Sequence, residues 1–209
     1  IATVRSDAIS LLGIADRGFE PREWPQIANG SNDLVLLMHF NNDTLDYSGK
    51  GDNGTATNGA NCSASVVGRF FNACSFDGIN DLVNVTPTSA LNTTGSMAME
   101  AWFNMKSTSG SQWILAKGNA TNGYGIIYEG GPICYINATA ANATGNATIN
   151  ANTWYHFGCT YDGSQITIFI DGLRRANASY ASGIPNNSQP LAVGSRALMD
   201  QFFNGSIDE

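Results

Sequence analysis

Short segments in which apolar and polar residues alternate recur about every ten residues along this chain, with Gly, Asn and Asp between them. The clearest is SMAMEAWFNM, residues 96–105. Its odd-numbered residues from Met97 to Met105 are apolar and share one face, whereas Glu100 and Trp102 lie on the other. The Met-rich face is predicted to be core. Helical periodicity is nearly absent, so the pattern predicts an all-β protein.

Further segments of this kind predict strands at 34–40, 70–76, 81–85, 112–117, 124–129, 133–138, 154–161, 165–171, 191–195 and 202–207. The stretch YDGSQITIFIDGLRR predicts a strand, an Asp-Gly turn and a second strand, and Asp171-Gly172 is suited to a hairpin turn. Many short strands with turn residues at regular spacing are typical of a two-sheet antiparallel β-sandwich.

The first part of the chain differs from the rest. Pro21 and Pro25 separate it from the first strong strand. We therefore expect an extended N-terminal arm and linker at 1–30 and one sandwich domain at 31–209. The length of 209 residues is enough for a single large all-β domain with its own core.

Asn-x-Ser/Thr, the acceptor for N-linked glycan, is unusually frequent. It occurs at 13 of the 23 asparagines, whereas about four would carry it by chance. The acceptors are Asn29, Asn42, Asn53, Asn61, Asn84, Asn92, Asn119, Asn137, Asn142, Asn146, Asn177, Asn186 and Asn204. The alternative is that Asn, Ser and Thr crowd together in turns. We expect glycosylation, with Asn84 the weakest site because Pro87 follows its Thr86.

Charge and hydropathy argue against two classes of function, nucleic-acid binding and a membrane-spanning role. Charged residues make up only 13% of the chain, about half the usual share, so glycan would supply part of the hydration. The net charge of −7 argues against nucleic-acid binding, which needs a basic face. The longest apolar runs are far shorter than the roughly 20 residues of a membrane-spanning helix. The chain starts at Ile1 without a visible signal peptide, which suggests a processed or partial product.

Four cysteines, Cys62, Cys74, Cys134 and Cys159, allow three pairings. Beside so many glycan acceptors they indicate two disulfides and an oxidising, extracellular compartment. We expect Cys62–Cys74 and Cys134–Cys159, because each pair joins segments separated by one turn region. Zinc is the competing hypothesis, but no Cys-x-x-Cys occurs.

From Asp33 onward an ordered set of segments resembles the laminin G-like branch of the concanavalin A-like lectin/glucanase superfamily. The segments are LVLLMHFNND, DYSGKGDNGT, FDGINDLVNV, SMAMEAWFNM, ILAKGN, NTWYHFGCTYDGSQITIFIDG, LAVGS and FFNGSIDE. The resemblance implies a concanavalin A-like jelly roll that is non-catalytic and binds sugars or proteins outside the cell. The family usually has one more strand after the position of Glu209, beside the first strand, and IATVRSDAIS in the arm is similar to it.

The resemblance also raises the question of a sugar or hydrolase site. Glycosidases need two carboxylates about 5–10 Å apart, and no second acid lies two or four residues after Glu100. We therefore expect no enzyme activity. Glu100 and Trp102 are the one pair typical of a sugar-binding site, although a tryptophan at strand spacing is more often part of a core.

Calcium in a structural role is a further expectation. Asp46, Asp52 and Asp208 stand in turn-like places that the resemblance would bring near the first and last strands. Carboxylate oxygens are the ligands that Ca²⁺ prefers. The alternative is that these residues cap turns.

Two hypotheses for function follow. The first is a secreted, heavily N-glycosylated structural or adhesive module of a cell surface or filament, which forms homo-oligomers by donating its N-terminal strand. The alternatives for this strand are that it inserts into its own subunit or that residues 1–30 are the tail of a preceding domain. The second is a lectin module that binds carbohydrate or glycoprotein near Glu100 and Trp102. Neither hypothesis requires a membrane-spanning segment or a nucleic-acid partner.

Overall fold

The computed structural model describes residues 2–5, 34–119, 121–196 and 200–209, and these residues form fifteen β-strands and no helix. The first eight strands are β1 Ala2–Arg5, β2 Leu34–Met38, β3 Gly54–Thr57, β4 Cys74–Asp77, β5 Leu82–Val85, β6 Met97–Met105, β7 Ser111–Asn119 and β8 Asn122–Glu129. The others are β9 Pro132–Ile136, β10 Thr139–Asn142, β11 Trp154–Tyr161, β12 Gln165–Ile170, β13 Leu173–Ser179, β14 Leu191–Val193 and β15 Asn204–Asp208. Within the described ranges, no helix long and apolar enough to cross a membrane is present.

The strands form two antiparallel sheets. Sheet A has the order β13-β12-β11-β6-β1-β2, with β15 also paired to β6 and β4 paired to β15. Sheet B has the order β10-β9-β8-β7-β14-β5-β3. The predicted all-β sandwich is confirmed.

The core lies between the two sheets, and β6 contributes an unbroken row of side chains to it. Met97, Met99, Ala101, Phe103 and Met105 are all fully buried, as the alternation predicted. Removing a large aromatic side chain from such a core, for example Phe103→Ala, costs about 3–5 kcal/mol.

The predicted hairpin at Asp171-Gly172 is present. Strand β12 ends at Ile170 and β13 begins at Leu173. Asp171 and Gly172 both have positive φ, 51° and 74°, which is the backbone conformation of a two-residue type I′ turn.

Both disulfides have the expected pairing. Cys62 is joined to Cys74, at the start of β4, and Cys134 is joined to Cys159. Because Cys134 belongs to β9 of sheet B and Cys159 to β11 of sheet A, the second bridge connects the two sheets through the core.

Several strand boundaries differ from the predictions. The strand expected at 70–76 begins at Cys74, because residues 68–71 form a turn in which the Gly68 amide donates to the Phe71 carbonyl. The strand expected at 133–138 ends at Ile136, since Asn137 has a φ of 51° and turns the chain into β10. Strands β3 and β10 were not predicted. Both lie at an edge of sheet B, where a strand needs little apolar alternation.

The expected arm at 1–30 is described only at β1, which lies inside sheet A between β2 and β6. The rest of the expected arm and linker, including the acceptor Asn29, lies outside the described residues.

Candidate functional site

Glu100 and Trp102 lie on the outer face of sheet A, opposite the core-facing row of β6. Strand β11 pairs with β6 in a register that places His156 opposite Trp102. The His156 Nε2 atom lies 3.5 Å from Glu100 Oε2, and the rings of His156 and Trp102 have centroids 5.3 Å apart. Cross-strand register therefore creates a cluster of one acid, one imidazole and one indole.

The turn at 68–71 covers this cluster from one side. The Phe70 ring meets Trp102 edge-on with a centroid distance of 5.6 Å. The Arg69 guanidinium carbon lies 4.9 Å from the Trp102 ring centroid and 5.5 Å from that of Phe70, within the range of a cation–π interaction. Trp102 remains partly exposed. A sugar ring stacking on this indole would have to share it with Arg69.

Gly68 allows the turn to approach the sheet. A Cβ atom at this position would lie 2.6 Å from an oxygen of the Asp208 carboxylate and even closer to the Asn72 carbonyl oxygen. A residue with a side chain would therefore push Arg69 and Phe70 away from Trp102.

Asp208 is the second acid of the cluster, whereas the sequence analysis placed it with Asp46 and Asp52 in the expected calcium set. Its register partner on β6 is Trp102, and its Oδ2 accepts a 2.8 Å hydrogen bond from the Phe70 amide. Its Oδ1 is buried without a hydrogen-bond partner among the described residues. Burial raises the pKa of Asp208 to about 6.

The two acids do not form an accessible catalytic pair. Glycosidase carboxylates must reach the scissile oxygen or a water molecule, but Asp208 is fully buried and Glu100 is 6% exposed. The cluster is therefore suited to contact a ligand through Arg69, Trp102 and His156 rather than through its carboxylates.

Asp46, from the expected calcium set, stabilises the turn that follows it through hydrogen bonds to its carboxylate. Its Oδ1 accepts from the amides of Leu37 and Ser48, and its Oδ2 accepts from the Ser48 hydroxyl and the Asp52 amide, all within 2.8–3.1 Å. A carboxylate has about four lone-pair positions. All of them are in use, so an ion would have to displace one of these bonds.

The other two residues of the expected calcium set, Asp52 and Asp208, also accept hydrogen bonds from the protein. Asp52 is buried, its Oδ2 accepts from the Thr88 hydroxyl at 3.0 Å, and burial raises its pKa. The Asp208 carboxylate instead contacts the turn at Phe70. Among the residues described, no group of three His, Cys, Asp or Glu side chains is arranged to hold a metal. Calcium binding by this set stays a prediction, and an ion there would have to displace hydrogen bonds that Asp46 accepts.

The glycan acceptors lie mainly at exposed positions. Of those whose side chains the structure describes, seven are exposed, namely Asn42, Asn53, Asn61, Asn142, Asn146, Asn177 and Asn186. Four are half-buried, namely Asn84, Asn92, Asn137 and Asn204. Asn84 lies in β5, an interior strand of sheet B, and Asn119 is the last residue of β7.

A polar groove of about 310 Å³, which the sequence did not reveal, lies at one end of the sandwich. Ser107, Ser109, Ser111 and Asn204 line it. Gln112 fixes its shape, since its side-chain amide donates to the carbonyls of Ser107 and Ser109. Hydroxyl and amide groups of this kind form hydrogen bonds with sugar hydroxyls. The lining residues form no sequence motif from which the groove could have been predicted.

Two antiparallel sheets packed face to face define a protein of the β-sandwich class, here with an aromatic and charged cluster on one outer face. A family model of the concanavalin A-like lectin/glucanases superfamily, of laminin G type, matches residues 77–209. The chain belongs to this family. No curated protein matches the sequence.

Solved structures with the same fold include several binding domains. Domain 4 of AbnA, a GH43 extracellular arabinanase from Geobacillus stearothermophilus solved with arabinotriose, is similar over 83% of this chain and 89% of that chain, with 15% identity and a TM-score of 0.65. Domains LG4-5 of the mouse laminin alpha1 chain are similar over 65% of this chain and 39% of that one, with 16% identity and a TM-score of 0.52.

The binding domain of botulinum neurotoxin DC in complex with SialylT is similar over 83% of this chain and 46% of that one, with 15% identity and a TM-score of 0.58. This chain thus spans less than half the length of the laminin and neurotoxin chains. At these identities the likeness shows the fold alone.

Proposed function

We propose that the protein is a non-catalytic, heavily N-glycosylated extracellular module with a structural or adhesive role in a cell surface or filament. The observation that carries the proposal is the placement of glycan acceptors at the edges of both sheets. Asn142 lies in β10, the edge of sheet B, and Asn177 lies in β13, the edge of sheet A. Both are exposed.

The opposite edges carry acceptors as well. Asn42 follows β2, and Asn53 directly precedes β3. An edge strand exposes unpaired backbone groups that can pair with another chain. A bulky, hydrated glycan beside each edge would block such pairing. A crowded extracellular assembly requires this protection against uncontrolled strand pairing.

Two other features support an extracellular role. Among the described residues the cysteines form disulfides, which persist in oxidising compartments. Only 13% of residues are charged, so glycan would supply hydration that charged side chains normally provide. The burial of Glu100 and Asp208 supports a non-catalytic role.

Assembly of copies through the N-terminal strand is part of the proposed role. Strand β1 is one of the interior strands of sheet A, and an interior strand supplied by an arm is a means of joining subunits.

Intact-mass measurement on protein from its natural source tests glycosylation. The mass should fall by the equivalent of several glycans after chemical deglycosylation. The same chain from a host without N-glycosylation is the matched control. A natural mass that deglycosylation leaves unchanged would refute the proposal.

A second candidate function, carbohydrate binding, is favoured by the partly exposed Trp102 with Arg69 and His156 beside it. Planar sugar faces stack on aromatic rings, and Arg donates hydrogen bonds to hydroxyl groups. A glycan array, read with and without a calcium chelator, tests this function. Trp102→Ala should abolish any binding, whereas Tyr47→Ala, a change of an exposed aromatic residue in the loop after β2, should not. Absence of binding under both conditions would refute it.

A further inference from the structure

Strand β1 occupies an interior place in sheet A. It pairs with β2 through Ala2↔Met38 to Arg5↔Leu34 on one side. On the other side it pairs with β6 through Thr3↔Glu100 to Arg5↔Ala98. Both sets of backbone hydrogen bonds would be lost if this strand were absent.

Strand β1 also lies in line with β15. Both strands are antiparallel to β6, so they run in the same direction beside it. Asp208 is the β6 partner of Trp102, and Thr3 is the partner of Glu100. Only Ala101 separates these two β6 positions. Strand β1 therefore takes the place that a direct continuation of β15 would occupy.

The slot that β1 fills is lined by core residues. Val4 is paired in register with Leu36 of β2 and Met99 of β6, and both of these side chains are fully buried. An empty slot would leave two strand edges unpaired and open the core to water. Some strand must fill it in the folded protein.

The sequence connecting β1 to its neighbour is far longer than the slot requires. Antiparallel neighbours are usually joined by 2–5 residues, whereas residues 6–33 separate β1 from β2. At about 3.3 Å per residue, a connection of this length spans roughly 90 Å when extended. It is long enough to carry β1 to another molecule.

We propose that, in the assembled protein, β1 of one copy fills the slot between β2 and β6 of a second copy, in line with that copy's β15. This inference rests on the proposed structural function and names its partner, a second copy of this chain. Donor strand and acceptor slot are different surfaces, so the contact is heterologous, and repetition builds a filament wherever the rotation does not close a ring.

A disulfide between two different variants tests the proposal. Thr3 and Leu37 are direct partners in register, and opposite residues of antiparallel strands are about 4.5–5.5 Å apart at Cα, within disulfide range. Full-length Thr3→Cys and Leu37→Cys chains, tagged differently and expressed together, can form this bridge only between molecules. The matched control pairs Thr3→Cys with Ser164→Cys, an exposed residue in the β11–β12 turn.

The expected result is a covalent heterodimer of the Thr3→Cys and Leu37→Cys chains, identified by peptide mapping. The control pair should form no such heterodimer. A Thr3→Cys/Leu37→Cys double variant that closes the bridge within one chain, without any heterodimer in the mixture, would overturn the proposal. Failure of glycosylation would appear in the intact mass and leave this result unchanged, so the two failures are distinguishable.

Discussion

The buried carboxylate of Asp208 accepts a 2.8 Å hydrogen bond from the amide of Phe70, a residue 138 positions earlier in the chain. This bond attaches the turn at 68–71 to the end of β15. This turn also holds the Arg69 guanidinium against the Trp102 ring. The geometry of the outer-face cluster therefore depends on a group whose pKa is raised to about 6 by burial.

The raised pKa predicts how stability depends on pH. Below pH 3.8 the Asp208 carboxyl is protonated in both folded and unfolded chains. Between 3.8 and about 6 the folded chain retains the proton that the unfolded chain releases, so rising pH favours unfolding. The full cost above pH 6 is about 3 kcal/mol at most. We expect Asp208→Asn to match the wild type near pH 4 and to exceed its thermal midpoint at pH 7.

Thermal unfolding from pH 4 to 7, in buffer with a chelator, measures this effect. Asp162→Asn is a control of opposite sign, because hydrogen bonds from Ser164 and Gln165 lower the pKa of Asp162. Its ionised form stabilises the fold above pH 3.8, and that contribution is lost only as the pH falls through the lowered pKa, below the measured range. Asp162→Asn should therefore be less stable than the wild type by a nearly constant amount from pH 4 to 7. Parallel profiles for wild type and Asp208→Asn would show that Asp208 ionises as freely in the folded chain as in the unfolded one.

Asp46→Ala should destabilise the fold by about 1–3 kcal/mol, since it removes the acceptor for the amides of Leu37, Ser48 and Asp52. The urea unfolding free energy of wild type and variant measures this loss. Equal losses in chelator and in millimolar calcium would show that Asp46 serves its turn alone. A loss that grows when calcium is present would instead identify Asp46 as a calcium ligand.

The Cys134→Ala/Cys159→Ala variant should lose about 3.5 kcal/mol of unfolding free energy, from the entropy of a loop with a sequence separation of 25. Both sulfur positions are buried in the core, so a cavity adds to this loss. The Cys62→Ala/Cys74→Ala variant is the comparison, with a separation of 12 and a loss of about 2.8 kcal/mol. Equal stability of the Cys134 and Cys159 variant and the wild type in chemical denaturation would contradict an inter-sheet bridge.

Lys117→Met should cost about 2 kcal/mol, because the fully buried ammonium group donates to the carbonyls of Asn187 and Gln189 and to the Asn187 side chain. The loop at 186–190 would then lose its attachment to β7. Lys50→Met, at an exposed position, is the matched control and should change stability by less than about 0.5 kcal/mol. Hydrogen exchange at Gln189 reports the loop directly, and unchanged protection in Lys117→Met would count against this attachment.

The parts of the fold that the sequence predicted are those encoded locally. The alternation in β6 identifies its core face because one side of the strand is buried between the sheets. Asp171-Gly172 predicts a hairpin because few residue pairs accept positive φ twice. Strands β3 and β10 were missed because GTAT and TAAN have no apolar alternation, and pairing with a neighbour alone makes them strands.

The candidate site was predictable only in part, for the same physical reason. Glu100 and Trp102 share a face through strand periodicity, which a sequence reveals. His156, Arg69 and Asp208 join them through cross-strand register and a distant turn. No local pattern specifies such long-range pairing.

Site-resolved glycopeptide mapping of the natural protein tests the central claim of an extracellular, glycan-covered module most directly. Peptides that contain Asn142 and Asn177, the exposed acceptors in the edge strands β10 and β13, should carry glycan, whereas the half-buried Asn84 in the interior strand β5 should be occupied least. Unmodified Asn142 and Asn177 in protein isolated from its natural source would contradict the account.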